Sequence, residues 1–170
     1  GESIPKDVLF NICEETVNFN FPLVKVSDDL YSLELFHGPT LAFKDVGARF
    51  MSRCLGYFSK ESKKKTTVLV ATSGDTGSAV ANSFLGVEGI DVVILYPSGK
   101  VSTIQELQLT TLGNNIKAIE IQGDFDDCQR LVKEAFADLE LNKEMNLVSA
   151  NSINIARWLS QQFYYFFALQ

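Results

Sequence analysis

The 170-residue sequence predicts an α/β fold in which helices cover both faces of a mostly parallel sheet. Its central part alternates short apolar runs, rich in β-branched residues, with segments whose apolar residues repeat at the period of a helix. Uninterrupted apolar strands are typical of parallel sheets buried on both faces. Their alternation with amphipathic helices indicates βαβ units. The predicted strands are residues 68–71, 92–96, 116–121 and 147–149.

For the residues before this alternating part, the sequence predicts a helix, a hairpin and a second helix. Pro5 suits the first position of a helix. Two strand-like runs flank the turn-forming stretch Ser27-Asp28-Asp29. The lysine-rich residues 60–65 indicate a solvated helix end followed by a turn. The predicted elements are a helix at about 5–15, strands at 23–26 and 30–35, and a helix from about 45 to 58.

Between and after the strands, four helices are expected. One of them begins with Ser102 and Gln105 at the spacing of a capping box. The last one has a rich aromatic face, and nothing in the sequence follows that could cover it. We therefore expect a piece of a longer protein that self-associates through this helix. The four helices are predicted at 76–86, after 102, at about 125–139, and from about 153 to the end.

Composition narrows the functional classes. Hydrophobic residues make up 46% and charged residues 21%, as in a globular domain, and the net charge of −6 argues against nucleic-acid binding. Cys13, Cys54 and Cys128 lack the spacing of a zinc site or a disulfide framework. The single histidine cannot build a histidine metal cluster, so we expect no metal. No apolar run approaches the roughly 20 residues that cross a bilayer, so we expect no membrane contact. The sequence does not open with a signal peptide, and we expect a cytoplasmic location.

The segment VLVATSGDTGSAVANSF, residues 68–84, joins a buried strand to a helix through a glycine-rich loop. Free N–H groups at a helix start favour an anion, so residues 73–77 are a candidate cradle for a carboxylate or phosphate. The alternative is a plain turn in which Asp75 or Thr76 caps the helix. The loop has neither P-loop nor G-x-G-x-x-G spacing. The stretch Asp75-Thr76-Gly77-Ser78 resembles the active-site signature of aspartic proteases, in which two such aspartates share a proton. Here a helix pattern follows the stretch, and the sequence has no second copy of it.

Lys44 lies between the apolar run Leu41-Ala42-Phe43 and the start of a predicted helix. A desolvated amine is more readily deprotonated and then attacks carbonyl carbons. The alternative is a lysine whose stem is buried and whose amine reaches water. Together with the loop at 73–77, the lysine is typical of pyridoxal-phosphate enzymes that act on amino acids.

Three motifs carry a specific resemblance. The segments HGPTLAFKDVGARF (37–50), ATSGDTGSA (71–79) and SANSINIAR (149–157) resemble the threonine synthases, which belong to the tryptophan-synthase-β-like group of pyridoxal-phosphate enzymes. The resemblance covers essentially the whole chain. It implies the small parallel α/β domain of that fold at 61–150, with residues 1–60 and 151–170 belonging to a larger domain.

The resemblance also implies roles for individual residues. Lys44 would be catalytic and would bind pyridoxal 5′-phosphate through its amine, while Gly38, Pro39 and Asp45 shape the turn around it. Asp75, where related enzymes often have Asn, would contact the 3′-oxygen of the cofactor. The substrate carboxylate would be bound by Ser73, Gly74, Asp75, Thr76 and Gly77. The substrate phosphate would be bound by Lys100, Ser152, Asn154 and Arg157.

The implied reaction converts O-phospho-L-homoserine and water to L-threonine and phosphate, which makes the enzyme a carbon–oxygen lyase. In this family the residues that close the cofactor phosphate site lie downstream of Gln170, so the site is expected to be incomplete and the piece inactive alone. One rival is another enzyme of this fold, such as a serine/threonine dehydratase or a cysteine synthase, whose substrates lack a distal phosphate. Another is a non-catalytic domain that keeps the fold.

Overall fold

The computed structural model describes residues 3–60, 62 and 64–169, so the predicted turn at 60–65 lies partly outside the described residues. The first half contains α1 (Lys6–Thr16), β1 (Leu23–Ser27), β2 (Leu30–Leu33), α2 (Lys44–Ser59), β3 (Thr66–Ala71) and α3 (Asp75–Phe84). The second half contains β4 (Ile90–Pro97), α4 (Thr103–Thr110), β5 (Ile116–Ile121), α5 (Phe125–Ala137), α6 (Leu139–Met145), β6 (Leu147–Ser149), α7 (Ile155–Leu159), a 3₁₀ turn (Ser160–Gln162) and α8 (Phe163–Ala168).

The predicted parallel sheet is confirmed. Its four strands lie in the order β5-β4-β3-β6, and every neighbouring pair is parallel. Val68 of β3 is opposite Val92 of β4 on one side and Val148 of β6 on the other. All six residues of β3 are buried, because this central strand is covered on both faces. The carboxyl ends of the four strands therefore meet at one edge of the sheet.

Side chains of β3 alternate between two cores. Val68 and Val70 pack on the side of α2, α3 and α4, together with Phe84 and Leu109. Leu69 and Ala71 point to the opposite side, where α5 contributes its apolar face. The period of two in the strand and the apolar face of each helix produce the predicted arrangement, with helices on both faces.

The helix predicted from about 153 onward begins at Ile155 and continues to Ala168, but its hydrogen-bond pattern changes along the way. It tightens at Ser160–Gln162 into a 3₁₀ turn, where Ser160 donates its hydroxyl to the carbonyl of Ala156 (3.0 Å). Tyr164 is buried against Phe21, with ring centroids 6.0 Å apart. Part of the aromatic face is thus covered within this chain, while Phe166 remains 65% exposed.

The segment around Asp138 also differs from the prediction. The expected helix at 125–139 ends at Ala137, and a short helix, α6, follows. Asp138 has extended backbone angles, and its carboxylate accepts hydrogen bonds from the N–H groups of Glu140 and Leu141, both at 3.0 Å. An aspartate that caps a new helix in this way ends the preceding one.

Candidate active site

The predicted site residues of the α/β part lie on loops at the carboxyl edge of the sheet. The loop after β3 carries residues 72–74, the turn after β4 carries Lys100, and the segment after β6 carries Ser152 and Asn154. The side chain of Asn151 links two of these loops, because its Nδ2 donates to the carbonyl of Ala71 (3.1 Å). In open parallel sheets this edge is where ligands bind.

Thr72 shapes the loop after β3. Its side chain is 1% exposed, and its Oγ1 accepts hydrogen bonds from the N–H groups of Gly74 (3.0 Å) and Gly77 (2.8 Å) while it donates to the carbonyl of Gly74 (2.9 Å). Gly74 is the N-cap of α3 and has a φ of 152°, which only glycine adopts readily. The alternative of Asp75 or Thr76 as the cap is therefore wrong.

The start of α3 presents free hydrogen-bond donors. The backbone N–H groups of Ser73, Asp75 and Thr76 have no acceptor among the described residues. Ser73 and Asp75 are exposed, so a ligand from solvent can reach this end of the helix. Three unpartnered amides at a helix start suit a carboxylate, because the helix dipole also favours a negative charge there.

The segment before Lys44 is a tightly built turn. Asp45 is 0% exposed, and its two carboxylate oxygens accept hydrogen bonds from the N–H (3.0 Å) and hydroxyl (2.6 Å) of Thr40. A Cβ added at Gly38 would come 2.5 Å from Oδ2 of Asp45. Leu41 has a φ of 60°, a strained value for a residue with a side chain. The predicted roles of Gly38 and Asp45 in shaping this turn are confirmed.

Lys44 is the first residue of α2 and is half-buried. Its Nζ lies 5.3 Å from the centroid of the Phe43 ring, and no carboxylate of the described residues forms an ion pair with it. A cation at the amino end of a helix is at the unfavourable end of the dipole. The position of this amine is thus difficult to explain by stability alone.

Arg157 is the most deeply buried cation of the site. It is 1% exposed, and its guanidinium donates through Nη1 to the carbonyl of Ala150. Its Nε has no partner, and none of the ion pairs of the described residues includes it. Burial lowers the pKa of Arg157 to about 10, so the group keeps its charge at neutral pH. A buried charge of this kind is costly unless an anion compensates it.

The other predicted phosphate ligands differ in how many of their hydrogen-bonding groups are already used and in how exposed they are. Asn154 caps α7, since its Oδ1 accepts from the N–H of Ala156 (3.0 Å) and its Nδ2 donates to the carbonyl of Ser149 (3.1 Å). A side-chain amide carries two N–H donors, so one donor of Asn154 remains. Ser152 and Lys100 are exposed. Asn154 and Arg157 share one turn, whereas Lys100 lies in a separate loop at the same edge.

Close packing connects the lysine segment to the other two motifs. A Cβ added at Gly47 would come 2.5 Å from the carbonyl oxygen of Arg157, so α2 and α7 touch one turn after Lys44. A cavity of about 330 Å³ is lined both by Thr40 and by Ser78 of α3. A larger cavity of about 640 Å³ lies between α1, the second half of α2 and the end of α3, and none of the predicted site residues lines it.

Sequence reasoning missed three residues that support the site, namely Thr72, Gln105 as a contact of the loop, and Asn151. Thr72 could have been found, because threonine next to a glycine-rich helix start commonly bonds the backbone there. Gln105 was recognised only as part of the capping box with Ser102, which is confirmed. Its Nε2 also donates to Oδ1 of Asp75 (2.8 Å), a contact across 30 residues that no local pattern reveals.

Metal binding and membrane insertion are two further functional classes on which the structure bears. Among residues 3–60, 62 and 64–169, no group of three or more His, Cys, Asp or Glu side chains could hold a metal ion. Within the same residues, no helix is both long enough and apolar enough to span a membrane.

Comparisons with known proteins agree with the resemblance. A profile of the family described as "Pyridoxal-phosphate dependent enzyme" matches residues 20–165. The threonine synthase of Buchnera aphidicola is 53% identical over 96% of this chain and 38% of its own length. The crystal structure of threonine synthase from Escherichia coli superposes with a TM-score of 0.90 at 52% identity, over 98% of this chain and 38% of that one.

A structure of pyridoxal-phosphate-bound threonine synthase from Brucella melitensis also superposes with a TM-score of 0.90, at 42% identity over 98% of this chain and 37% of that one. The chain therefore spans less than two fifths of the length of the proteins that it matches. Since the family profile matches most of the chain, from residue 20 to residue 165, the chain belongs to the pyridoxal-phosphate dependent enzyme family.

Proposed function

We propose that the full-length gene product containing this chain is a threonine synthase, which converts O-phospho-L-homoserine and water to L-threonine and phosphate. The observation that carries the proposal is the buried Arg157, whose guanidinium has no carboxylate partner among the described residues. An arginine can bind a phosphate through paired, charge-assisted hydrogen bonds. The similarity to threonine synthases supports the same conclusion.

The residues present fit pyridoxal phosphate. Lys44 offers an amine without a carboxylate partner among the described residues, and the backbone amides of Ser73, Asp75 and Thr76 offer donors to an amino-acid carboxylate. Pyridoxal phosphate, when bound, supplies an electron sink. In our proposal Lys44 holds the cofactor, and Asp75 contacts its 3′-oxygen.

The remaining residues bind and orient the substrate. The loop Ser73–Gly77 binds the carboxylate, while Arg157 and the free amide N–H of Asn154 bind the phosphate, with Lys100 and Ser152 completing that site. The amine of Lys44 moves protons at Cα and Cβ. Phosphate leaves Cγ with the electrons of its C–O bond, the hydroxyl of water bonds to Cβ, and a proton is returned to Cγ.

The test is a comparison of substrates with the full-length gene product. We expect release of phosphate and formation of L-threonine from O-phospho-L-homoserine, and little turnover of L-serine or O-acetyl-L-serine. Efficient use of either control substrate without use of phosphohomoserine would identify the rival dehydratase or cysteine synthase. A protein that neither turns over any of the three nor gains cofactor absorbance would be the non-catalytic rival.

We propose further that the 170-residue chain alone binds pyridoxal phosphate weakly and does not turn over substrate, because it spans only 38% of the length of the similar enzymes. We divide it into parts at 1–60, 61–150 and 151–170, since the parallel sheet occupies residues 66–149. Cofactor absorbance that survives dialysis at one equivalent per chain would contradict the weak binding.

The 170-residue chain should also self-associate through α7 and α8. Trp158, Tyr165 and Phe166 are exposed there, and a contiguous apolar patch of this kind attracts a partner. Sedimentation velocity should show a weight-average mass that rises with concentration, and Phe166→Ser should reduce that rise. A concentration-independent monomer would contradict the proposal.

Free, dispersed cysteines support a reducing compartment such as the cytoplasm.

A further inference from the structure

Gln105 of α4 lies across the start of α3. Its Nε2 donates to Oδ1 of Asp75 (2.8 Å), and a Cβ added at Gly74 would come 2.5 Å from the same nitrogen. The other end of the amide is also held, because Oε1 of Gln105 accepts from the N–H (3.2 Å) and hydroxyl (3.0 Å) of Ser102. The side chain is therefore fixed between its own helix start and the loop of α3.

This contact decides what the carboxylate of Asp75 does. Asp75 is the first residue of α3, where the helix dipole and the free N–H groups attract a negative charge. Among the described residues, however, Gln105 is the one donor to this carboxylate. The amides of Ser73, Asp75 and Thr76 consequently remain without an acceptor.

We propose that Gln105 is a positioning residue that holds the Asp75 carboxylate away from the helix start, so that these amides stay available to the carboxylate of the substrate. The inference rests on the proposed role of residues 73–77 in substrate binding. Without Gln105, the carboxylate of Asp75 is free to turn toward the same donors, where it competes with the substrate and repels it.

The experiment compares Gln105→Glu, Gln105→Ala and Thr110→Ala in the full-length gene product with bound pyridoxal phosphate. Glutamate at this position of a capping box keeps the cap of α4 but removes the donor to Asp75. The charged hydrogen bond from Gln105 corresponds to a factor of about ten in the equilibrium between the held and the released positions of the Asp75 carboxylate, and the released position competes with the substrate. We therefore expect KM for O-phospho-L-homoserine to rise about tenfold in Gln105→Glu, with kcat changed less than about twofold.

Two further readouts separate positioning from folding. The inhibition constant of Gln105→Glu for inorganic phosphate should be unchanged, because phosphate binds elsewhere in the site. Its unfolding temperature should fall only slightly, because the cap of α4 is kept while the new carboxylate faces that of Asp75. Gln105→Ala should raise KM similarly while also lowering the unfolding temperature through the lost cap. Thr110→Ala, at the end of α4, removes a hydroxyl that donates to the carbonyl of Glu106 in the same helix, and its KM should match that of the wild type.

A KM of Gln105→Glu equal to that of the wild type overturns the positioning role, and so does an equal rise in the phosphate inhibition constant. Failure of the proposed function is distinguishable, because it is seen in the wild-type protein as an absence of phosphohomoserine turnover before any variant is compared.

Discussion

The two anion-binding regions of the proposed site differ in the groups that would bind the anion and in their exposure to solvent. The start of α3 offers neutral backbone amides, and its residues Ser73 and Asp75 are open to solvent. The segment after β6 offers a full positive charge on Arg157, which is withdrawn almost completely from water. One region therefore binds an anion through the shape of the backbone, and the other binds it through a single side chain.

The difference has consequences for stability and specificity. Backbone amides are present whatever the side chains are, so the loop depends on the residues that fix its shape, chiefly Thr72 and Gly74. A buried charge without a compensating anion lowers the stability of the fold. Changes in the loop should therefore weaken folding and binding together, whereas a change at Arg157 should weaken binding without weakening the fold.

The largest expected effect is at Arg157. Arg157→Lys keeps the charge but loses the paired donors, and kcat/KM for O-phospho-L-homoserine should fall about 10- to 150-fold, which corresponds to roughly 1.5–3 kcal/mol. Cofactor absorbance should not change. Arg157→Met should abolish phosphate recognition while urea denaturation finds stability equal to or above that of the wild type, as expected when an uncompensated buried charge is removed. Wild-type use of phosphohomoserine by Arg157→Lys would make the assigned role wrong.

A smaller effect is expected where α2 touches the Arg157 segment. In Gly47→Ala the new methyl group would lie 2.5 Å from a backbone carbonyl oxygen, which cannot turn aside as a side chain can. We expect a loss of about 2 kcal/mol in the free energy of unfolding of the 170-residue chain. Gly56→Ala, on the same helix, is the control, because the one atom within 4 Å of its Cβ position is Cγ1 of the Val87 side chain, at 3.1 Å. Equal losses in the two variants would show that the α2–α7 contact is not tight.

The smallest effect is expected in the loop. Thr72→Val keeps the volume but removes the hydroxyl that bonds Gly74 and Gly77. The unfolding free energy of the 170-residue chain should fall by about 1–2 kcal/mol, because buried backbone groups lose their partner. Thr72→Ser retains the hydroxyl and should preserve most of the stability. If valine were tolerated and serine were not, the methyl group and not the hydroxyl would be holding the loop.

The sequence predicted the sheet well because its signals are local. The run around Val68 is buried on both faces, and the Ser102–Gln105 capping box is complete within four residues. Contacts between distant segments were not predictable in this way. Tyr164 is covered by Phe21, and Gln105 reaches Asp75, although neither pair is close in sequence.

The burial of Arg157 was likewise not evident from the sequence. An arginine one turn into a helix is usually solvated, and its environment here depends on the close approach of α2 at Gly47. The end of α5 at Asp138 had a local signal, since an aspartate followed by a further helical pattern is a common N-cap.

The proposed attachment of the cofactor to Lys44 can be tested directly by labelling. The full-length gene product is loaded with pyridoxal phosphate, reduced with borohydride and digested, and the modified peptide is found by mass spectrometry. We predict a pyridoxyl group on Lys44, no stoichiometric label in Lys44→Ala, and normal labelling in the control Lys117→Ala on the exposed side of β5. A stoichiometric label on any other lysine would show that Lys44 does not hold the cofactor.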